Sequence, residues 1–443
     1  MEQASKIAHR FIVQNPAVKA FIARCTTRKK PEEINFDGHQ LFPFTPLEDK
    51  DNPIVNFITF DGGYQEVVTE PKYPSTAFAF FQLGALYFQR RDLENLKRKA
   101  FIDPDDMARL KQMQRFQFAL PLRNYLLTDE GSLTDSVRRA LQEFLLSQPD
   151  KDKIKLLDTL RWFLFRDYLP VAERLEVYDD LTCPHCRRPN IPLVRQKLQS
   201  PEYISSCPYE ECKGEILLVD ALRLHEAIDD ELGAGGIMGY VTTAIEQLLL
   251  IHFIHLFLDV KPAKLGDTFF IKDGPLAFFG QTARLHVPML ELVAFLQRKY
   301  KLYLVGLEKS GPFVEHAADI SSKLEASSFL LLDNTYIYSY ITPGKASDIS
   351  RPYANTSYYG QKLIFKASDE SVYVATIPVP ALVAFPKAQN LPGLAIILTN
   401  LAKLRCSLYD NAIVPVALAN KLVSLSNRPS VKILANFAHS AAS

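Results

Sequence analysis

Four cysteines in two close pairs form the metal-binding pattern of this sequence. Cys183 and Cys186 belong to the motif CPHC, and Cys207 and Cys212 belong to CPYEEC after an interval of 20 residues. Two such pairs, each on a tight turn, supply four thiolates to one tetrahedral zinc ion. Because four protein ligands leave no position for water or substrate, we predict a structural Zn²⁺ in a zinc ribbon. His185 lies within the first pair and is expected to be a bystander.

The role of this ribbon is not decided by its sequence. Stabilising a small insert that cannot build its own core is one role. Contact with DNA or a partner protein is the other, and basic residues are available for it: Arg187, Arg188, Arg195 and Lys197.

Two aspartates, each followed by glycine, come directly after apolar strand-like runs. Asp61 follows IVNFITF, and Asp273 follows TFFIK. A carboxylate at the end of a buried strand is held rigidly, and the glycine lets backbone or ligand approach closely. On neighbouring strands, two such carboxylates suit Mg²⁺ or Mn²⁺, the ions used for phosphodiester hydrolysis. A single Asp-Gly after a strand is more often a simple turn, so the pair needs further support.

Three motifs together resemble the NurA family of DNA nucleases. They are FDGG at 60–63, KDGPL at 272–276 and VGLEKS at 305–310, and they occur in the family's order. The resemblance covers residues 53–84 and about 236–400. It implies an α/β fold with a ribonuclease H-like mixed sheet flanked by helices. It also implies a divalent-metal-dependent deoxyribonuclease, exo- or endonucleolytic.

The resemblance implies roles for individual residues. Asp61 and Asp273 match metal-binding carboxylates, and Glu246, in VTTAIEQLLLIHFI, is the best match to a third on the helix before the DGPL strand. Lys309 would face the scissile phosphate or a metal-bound water, and Arg284 would contact substrate phosphate. The alternatives are a helix-edge position for Glu246 and ordinary surface positions for the lysine and the arginine.

One position departs from the family pattern. NurA proteins tend to carry a C-terminal histidine that completes the metal site, and in LPGLAIILTN its place falls on Asn400. An asparagine can offer an amide oxygen to Mg²⁺ or Mn²⁺ but cannot act as an imidazole ligand. Alternatively, the alignment is shifted, and His286 or His316 takes the role.

The elements that would position these residues alternate along the chain. The runs TFFIKDGPL, KLYLVGLEKSG, SSFLLLDN and KLIFKASDESVYVATIP are each typical of strands, and helical patterns separate them. We predict these units: an N-terminal helix and arm at 1–52, the nuclease core at 53–84 and 236–443, a helical insertion at 85–180, the zinc ribbon at 181–216, and a connecting helix at 217–235. In the first unit, one face of the predicted helix carries apolar residues: Ile7, Phe11, Ile12, Val18 and Phe21. A basic cluster follows the helix, with Arg24, Arg28, Lys29 and Lys30.

Composition predicts a soluble cytoplasmic protein. The chain has 443 residues, 47% of them hydrophobic, and a net charge of +1, so it has no global basic excess of the kind seen in many nucleic-acid-binding proteins. No signal peptide is recognisable, and the apolar run 248–258 is too short to cross a bilayer. Cys25 and Cys406 are isolated, which indicates a metal site in a reducing compartment rather than a disulfide framework.

The resemblance also implies partners. It predicts a homodimer that receives DNA from a HerA-type hexameric ATPase, in DNA-end processing for repair or in defence against foreign DNA. The sequence contains no GxxxxGK[ST] motif and so supplies no P-loop of its own. Two alternatives remain: a catalytically inactive ribonuclease H-like zinc-ribbon scaffold that binds DNA or a protein, and another enzyme with paired carboxylates, such as a phosphatase or a recombinase-like transferase.

Overall fold

The computed structural model contains a mixed β-sheet with helices on both faces, which confirms the predicted α/β class. The structure describes residues 11–25, 29–70, 72, 75–92, 113–342, 348–404, 413, 416, 424, 425, 433, 434 and 437. In the described residues the main sheet has nine strands in the order β1-β11-β12-β13-β10-β9-β2-β3-β4. These strands are β1 (Gln40–Pro43), β2 (Asn56–Glu70), β3 (Thr76–Gln89), β4 (Met113–Arg123), β9 (Thr268–Asp273), β10 (Tyr303–Glu308), β11 (Ser328–Leu331), β12 (Gly360–Lys366) and β13 (Val372–Pro378).

Parallel pairing is confined, within the described part of the sheet, to its centre. Strand β9 runs parallel to both β2 and β10, and the other pairs are antiparallel. Phe269 and Ile271 face one apolar cluster, whereas Phe270 faces the other. Burial on both faces explains why TFFIK reads as a continuous apolar run. Strands β9 and β10 therefore end side by side, next to the middle of the longer strand β2.

Helices cover the two faces of the sheet and the region before it. They are α1 (Pro16–Arg24), α2 (Leu133–Ser147), α3 (Leu156–Leu164), α4 (Met238–Val260), α5 (His286–Lys299), α6 (Pro312–Ile320) and α7 (Leu394–Lys403). Helix α4 packs on β2, β3 and β9 and is apolar nearly all round, as expected of a core helix. With the preceding turn it is long and apolar enough to cross a membrane, yet 67% of that apolar window is buried in the protein. The apolar run 248–258 is thus part of the longer helix α4.

The predicted helical insertion contains a strand as well as helices. Helices α2 and α3 lie within 85–180, but β4 pairs with β3 along the edge of the main sheet. Its sequence has large apolar residues at every second position, Phe116, Phe118, Leu120 and Leu122, a period-two pattern that the helical interpretation overlooked. Phe118 stacks on both Phe81 and Phe144, so α2 packs onto this edge strand.

Two further predictions differ from the structure: the helix that connects the ribbon to the core, and the N-terminal arm. The predicted connecting helix at 217–235 is a series of 3₁₀ turns, interrupted where Arg223 adopts a left-handed φ of 61°. The N-terminal arm joins the main sheet through β1, which pairs with β11. In α1 no residue is buried. Ile7 and Arg28 of the predicted N-terminal helix and basic cluster, like Cys406, lie outside the described residues.

The cysteine-rich segment forms two short hairpins. The first is β5 (Val177–Tyr178) with β6 (Leu193–Val194), and the second is β7 (Ile204–Ser206) with β8 (Glu215–Leu217). Their strands are short, yet Tyr178, Leu193 and Ile216 are buried in the main apolar cluster, so the hairpins pack on the rest of the protein. This organisation agrees with the predicted ribbon.

Candidate functional site

Acidic residues lie side by side where β9 ends beside β2. Phe60 pairs with Lys272, so the next residues along β2 and β9, Asp61 and Asp273, are neighbours. Unlike β9, strand β2 does not end there, as the sequence had suggested. It continues to Glu70, paired only with β3 among the described strands, so Asp61 lies inside a long strand where β9 leaves it.

Two glycine motifs hold the end of β9 against β10. Gly274 has a φ of +83° and its N–H donates to Leu307 O at 2.7 Å, so the DGPL turn crosses over β10. At Gly306 a β-carbon would lie 2.7 Å from Gly274 O and 2.8 Å from Leu276 N. These distances are too short for any side chain. The glycines of DGPL and VGLEKS thus serve one packing contact, which fixes Asp273 and the residues after β10.

Helix α4 brings a third carboxylate to the same place. Glu246 is 7% exposed, and its Oε1 faces Gly62, where a β-carbon would lie 3.2 Å away. The glycine after Asp61 thus lies close to the helix at Glu246 and to the Leu83 side chain on β3, from which a β-carbon would be only 2.9 Å away. Glu246 is in the buried part of the helix rather than at an exposed edge.

These residues line one open cleft of about 310 Å³. Its walls are formed by Asp61, Gly62, Glu246, Asp273, Gly274, Pro275, Glu308, Lys309 and Ser310. Lys309 donates to Asp273 Oδ2 at 2.8 Å, and both side chains are partly exposed. The cleft therefore contains the three carboxylates and the lysine predicted from the sequence, on four different elements.

Crowding of negative charge alters the acidity of these groups. Burial, then Asp273 and Glu246, raise the pKa of Asp61 to about 8, although Lys309 and the Gly62 N–H act in the opposite direction. Burial also raises the pKa of Glu246, against the effect of Lys272. A cation placed among these carboxylates would relieve the repulsion, and oxygen donors are what Mg²⁺ and Mn²⁺ prefer. The donor set fits a hard divalent cation.

The three carboxylates are not closed around a common point. Among the described residues, one group of three or more possible metal ligands has donor atoms all within 4.8 Å of one another, and that group is the four cysteines. In the cleft, Lys272 pairs with Glu246 and Lys309 pairs with Asp273. These two ion pairs separate the acidic groups and hold them in place.

Three charged residues of the cleft region were missed in the sequence. Lys272 donates to Glu246 Oε2 at 3.1 Å and to Asp273 O, and Glu308 forms an ion pair with Lys362. Lys362 is buried, with its ammonium over the rings of Phe313 and Tyr358. The available signal was a charged residue inside or ending an apolar strand, as in TFFIKD and KLYLVGLE.

Asn400 lies elsewhere, so its assignment as a metal ligand is corrected. Its side chain exchanges hydrogen bonds of 3.1 Å with the amide of Asn52 and donates to Ile396 O. Asn52 precedes the start of β2 at Asn56, whereas Asp61 is about 16 Å further along that strand. The amide of Asn400 stabilises the opposite end of the strand.

The other polar candidates also lie outside the cleft lining. Arg284 forms an ion pair with Asp180 at 2.9 Å and is mostly exposed, which fits an ordinary surface arginine. His286 bonds Ala283 O, and the buried His316 bonds the Tyr336 hydroxyl. Neither histidine replaces the family's C-terminal ligand in this structure.

The four predicted cysteines form a compact cluster. Cys183 Sγ lies 3.8 Å from Cys212 Sγ, and Cys186 Sγ lies 3.8 Å from Cys207 Sγ. Zinc–sulfur bonds of about 2.3 Å in a tetrahedron place the sulfurs about 3.8 Å apart. The sulfurs thus have the spacing of a four-thiolate zinc site. His185 bonds Glu215 O and packs against Gly214, so it is not a member of the cluster.

No family model matches this sequence, and no curated protein is similar to it. Among solved structures, the chain is similar to the crystal structure of the NurA nuclease from Sulfolobus solfataricus. Identity is 8%, the TM-score is 0.31, and the match covers 99% of this chain and 98% of that chain. A second match is a crystal structure of NurA, with 10% identity, a TM-score of 0.30 and 98% coverage of both chains. Both are structures of the family that the three sequence motifs resemble.

Proposed function

We propose that this protein is a divalent-metal-dependent nuclease that hydrolyses phosphodiester bonds in DNA. The grouping of Asp61, Glu246, Asp273 and Lys309 around one cleft carries the proposal. The order of FDGG, KDGPL and VGLEKS, which resembles that of NurA nucleases, supports DNA as the substrate. In this proposal Asp61, Glu246 and Asp273 are the carboxylates of the metal site.

In the proposed reaction, each residue of the cleft has a separate role. Mg²⁺ or Mn²⁺, when bound, would activate water and offset charge on the reacting phosphoryl group. Asp61 and Asp273, on paired parallel strands, hold their carboxylates at a fixed separation for this ion. Lys309 provides a compact positive charge at the partly open side, where a substrate phosphate enters.

A structural Zn²⁺ at Cys183, Cys186, Cys207 and Cys212 is the second part of the proposal. Its support is the sulfur spacing and the short hairpins that carry the four thiols. Arg138 on α2 connects this region to the rest of the protein: it donates to the main-chain oxygen of Glu215 in the ribbon and forms a buried ion pair with Asp220 just after it. The ribbon would thus stabilise the region around α2.

The assembly is proposed from the resemblance alone. We infer a cytoplasmic homodimer that works with a HerA-type hexameric ATPase in DNA-end processing, for repair or for defence against foreign DNA. A motor that threads DNA into the nuclease would reduce the need for a broad basic surface, which agrees with the net charge of +1.

The test is incubation of pure, zinc-loaded protein with labelled single- and double-stranded DNA in Mn²⁺, in Mg²⁺ and in EDTA. We expect cleavage with a divalent ion and none in EDTA. Asp61→Asn and Asp273→Asn should each abolish it, while Asp319→Asn, an exposed carboxylate on α6, should cleave as the wild type does. Cleavage that survives in Asp61→Asn would refute the site.

An inactive scaffold is the second candidate, and the spacing of the carboxylates favours it. They do not converge within 4.8 Å of one another, and lysines already pair with two of them. Binding of DNA without cleavage, in every metal tested and with or without a HerA-type partner, would support this candidate.

A further inference from the structure

We propose that the exposed ring of Phe279 stacks on a base of a single DNA strand that is held in the cleft. The inference rests on the proposed nuclease function and deepens it, because it specifies an unpaired strand as the form in which the substrate is bound. Phe279 binds substrate in this proposal and takes no part in the hydrolysis itself.

A row of side-chain contacts leads from the cleft to Phe279. Glu308, in the lining of the cleft, forms an ion pair with Lys362. The Lys362 ammonium lies 4.7 Å from the ring centre of Tyr358, which is itself 6.0 Å from the ring centre of Phe279. The Phe279 ring centre is therefore within about 11 Å of this ammonium, on the same side of the cleft as Glu308.

The ring of Phe279 is exposed on a loop that is fixed at both ends. Phe279 is 36% exposed, whereas Phe278 before it is 1% exposed and its N–H donates to Ser357 O at 2.9 Å. Gly280 after it has a φ of +56° and lies so close to Tyr240 on α4 that a β-carbon would be 2.4 Å from that ring. Because the loop is already ordered, a ligand that contacts the Phe279 ring has little conformational entropy to remove.

Stacking supplies an attraction that the charges of the cleft do not. The lining of the cleft contains four carboxylates and one ammonium group, and the net charge of the chain is only +1. Carboxylates repel the phosphates of DNA. Stacking of a base on an aromatic side chain needs no positive charge and strengthens binding by about tenfold or more per base.

The ring favours an unpaired strand as its occupant. In a duplex each base face is covered by the neighbouring base pairs, so an aromatic side chain reaches a base face only in a single strand or at a frayed end. Every base has such a face, so the contact tolerates any sequence. We therefore expect binding that requires bases but does not depend on the order in which they occur.

The experiment measures the affinity of the full, zinc-loaded chain for fluorescein-labelled oligothymidylate of about 12 nucleotides. A fully abasic strand of the same length and charge provides the comparison, and fluorescence anisotropy without added divalent ions avoids cleavage. The wild type should bind the oligothymidylate about tenfold more tightly than the abasic strand. Phe279→Leu and Phe279→Ala should bind both strands equally weakly, because neither side chain has an aromatic ring, and Phe279→Trp should retain the preference.

Phe21→Ala is the matched control, because it removes an exposed phenylalanine ring on α1, outside the lining of the cleft. It should bind the oligothymidylate as the wild type does. A duplex of the same length should be bound equally by the wild type and Phe279→Leu. If Phe279→Ala fails to fold, as judged by its melting curve, Phe279→Leu and Phe279→Trp decide.

Wild-type preference for the oligothymidylate in Phe279→Leu would overturn the inference, and cleavage of DNA in Mn²⁺ would then leave the nuclease proposal intact. A change from dimer to monomer in Phe279→Leu, seen by sedimentation, would also overturn it, because a second copy of the chain would then cover the ring. Base-dependent binding without cleavage in any divalent ion would leave the inference and reject the nuclease. An absence of DNA binding in the folded wild type would reject both.

Discussion

The Lys309 ammonium lies 2.8 Å from Asp273 Oδ2, at the point where β9 ends and just after the end of β10. The contact joins the DGPL and VGLEKS motifs, which are separated by 28 residues in the sequence. It depends on Gly306, where the DGPL turn that follows β9 passes over β10. The predicted lysine is thus fixed relative to the carboxylate it is expected to serve.

Replacing Lys309 tests whether its charge acts in catalysis. Lys309→Met should lower kcat by roughly 10²–10³-fold, as expected when a charge that stabilises the transition state is removed. KM for DNA should change less, and Lys309→Arg should recover part of the loss. The control is Lys299→Met, at the end of α5 and outside the cleft. An equal loss in both variants would indicate a general effect of surface charge.

The raised pKa of Asp61 predicts a carboxylate that destabilises the metal-free protein. The folded pKa of about 8 lies above the usual value of 3.8, so its contribution to stability is present at low pH and is lost as pH rises towards 8. Asp61→Asn removes the charge and should unfold at a temperature higher by about 2–4 °C at pH 8, with a smaller difference at pH 5. Thermal melts in EDTA provide the measurement.

The same variant should lack cleavage, so its gain in stability would come with loss of function. Mn²⁺ should raise the melting temperature of the wild type at pH 8 and leave that of Asp61→Asn nearly unchanged. An Asp61→Asn protein that is less stable than the wild type at pH 8 would contradict the electrostatic argument.

The zinc prediction is tested by removing one thiolate. Cys207→Ser should release close to one equivalent of zinc per chain and lower the melting temperature, because structural zinc contributes folding free energy. Cys25→Ser is the matched control, since Cys25 is exposed and outside the cluster. Zinc content by a chromogenic chelator and melting curves are the readouts. Retention of a full equivalent of zinc in Cys207→Ser would argue against a four-thiolate site.

Gly306 offers a test of the close packing between the DGPL turn and β10. Gly306→Ala introduces a β-carbon within 2.8 Å of two backbone atoms of the DGPL turn, which cannot move away as a side-chain end could. We expect a loss of about 2–4 kcal/mol in the free energy of unfolding, measured in urea. Gly239→Ala, on α4 with no atom within 4 Å of the new β-carbon, should be neutral or stabilising.

The site residues that the sequence could predict are those that follow strands. An apolar run that stops at an acidic residue indicates a carboxylate directly after a buried strand segment. Asp61 and Asp273 were found in this way, and the resemblance to NurA nucleases added Glu246 and Lys309. The roles of Lys272 and Lys362 were not predicted, because their ion-pair partners, Glu246 and Glu308, are distant in sequence. Asn400 was placed by aligning one apolar helix, whose packing against Asn52 depends on the tertiary fold. Strand β4 was missed because its short period-two pattern lies in a segment that otherwise has helical periodicity, and its partner β3 is identified only in the assembled sheet.

Two histidines on α4 provide a final test, concerning stability at acid pH. His252 is fully buried, and both its Nδ1 and that of His255 lie within 3.2 Å of the Thr159 hydroxyl on α3. Burial lowers the pKa of each histidine to about 4, from an ordinary value of 6.5.

The sign of the effect follows from these values. Both histidines are neutral in the folded state and gain a proton more readily when unfolded, so their contribution is intact above pH 6.5 and is lost as pH falls from 6.5 to 4. For His252 the loss is on the order of 3 kcal/mol. His252→Gln should therefore show a flatter decline in unfolding free energy between pH 6.5 and 4, measured by urea titration at several pH values. His185→Gln, in the ribbon and largely exposed, should retain the wild-type slope. A slope in His252→Gln equal to that of the wild type would mean that other groups cause the acid sensitivity.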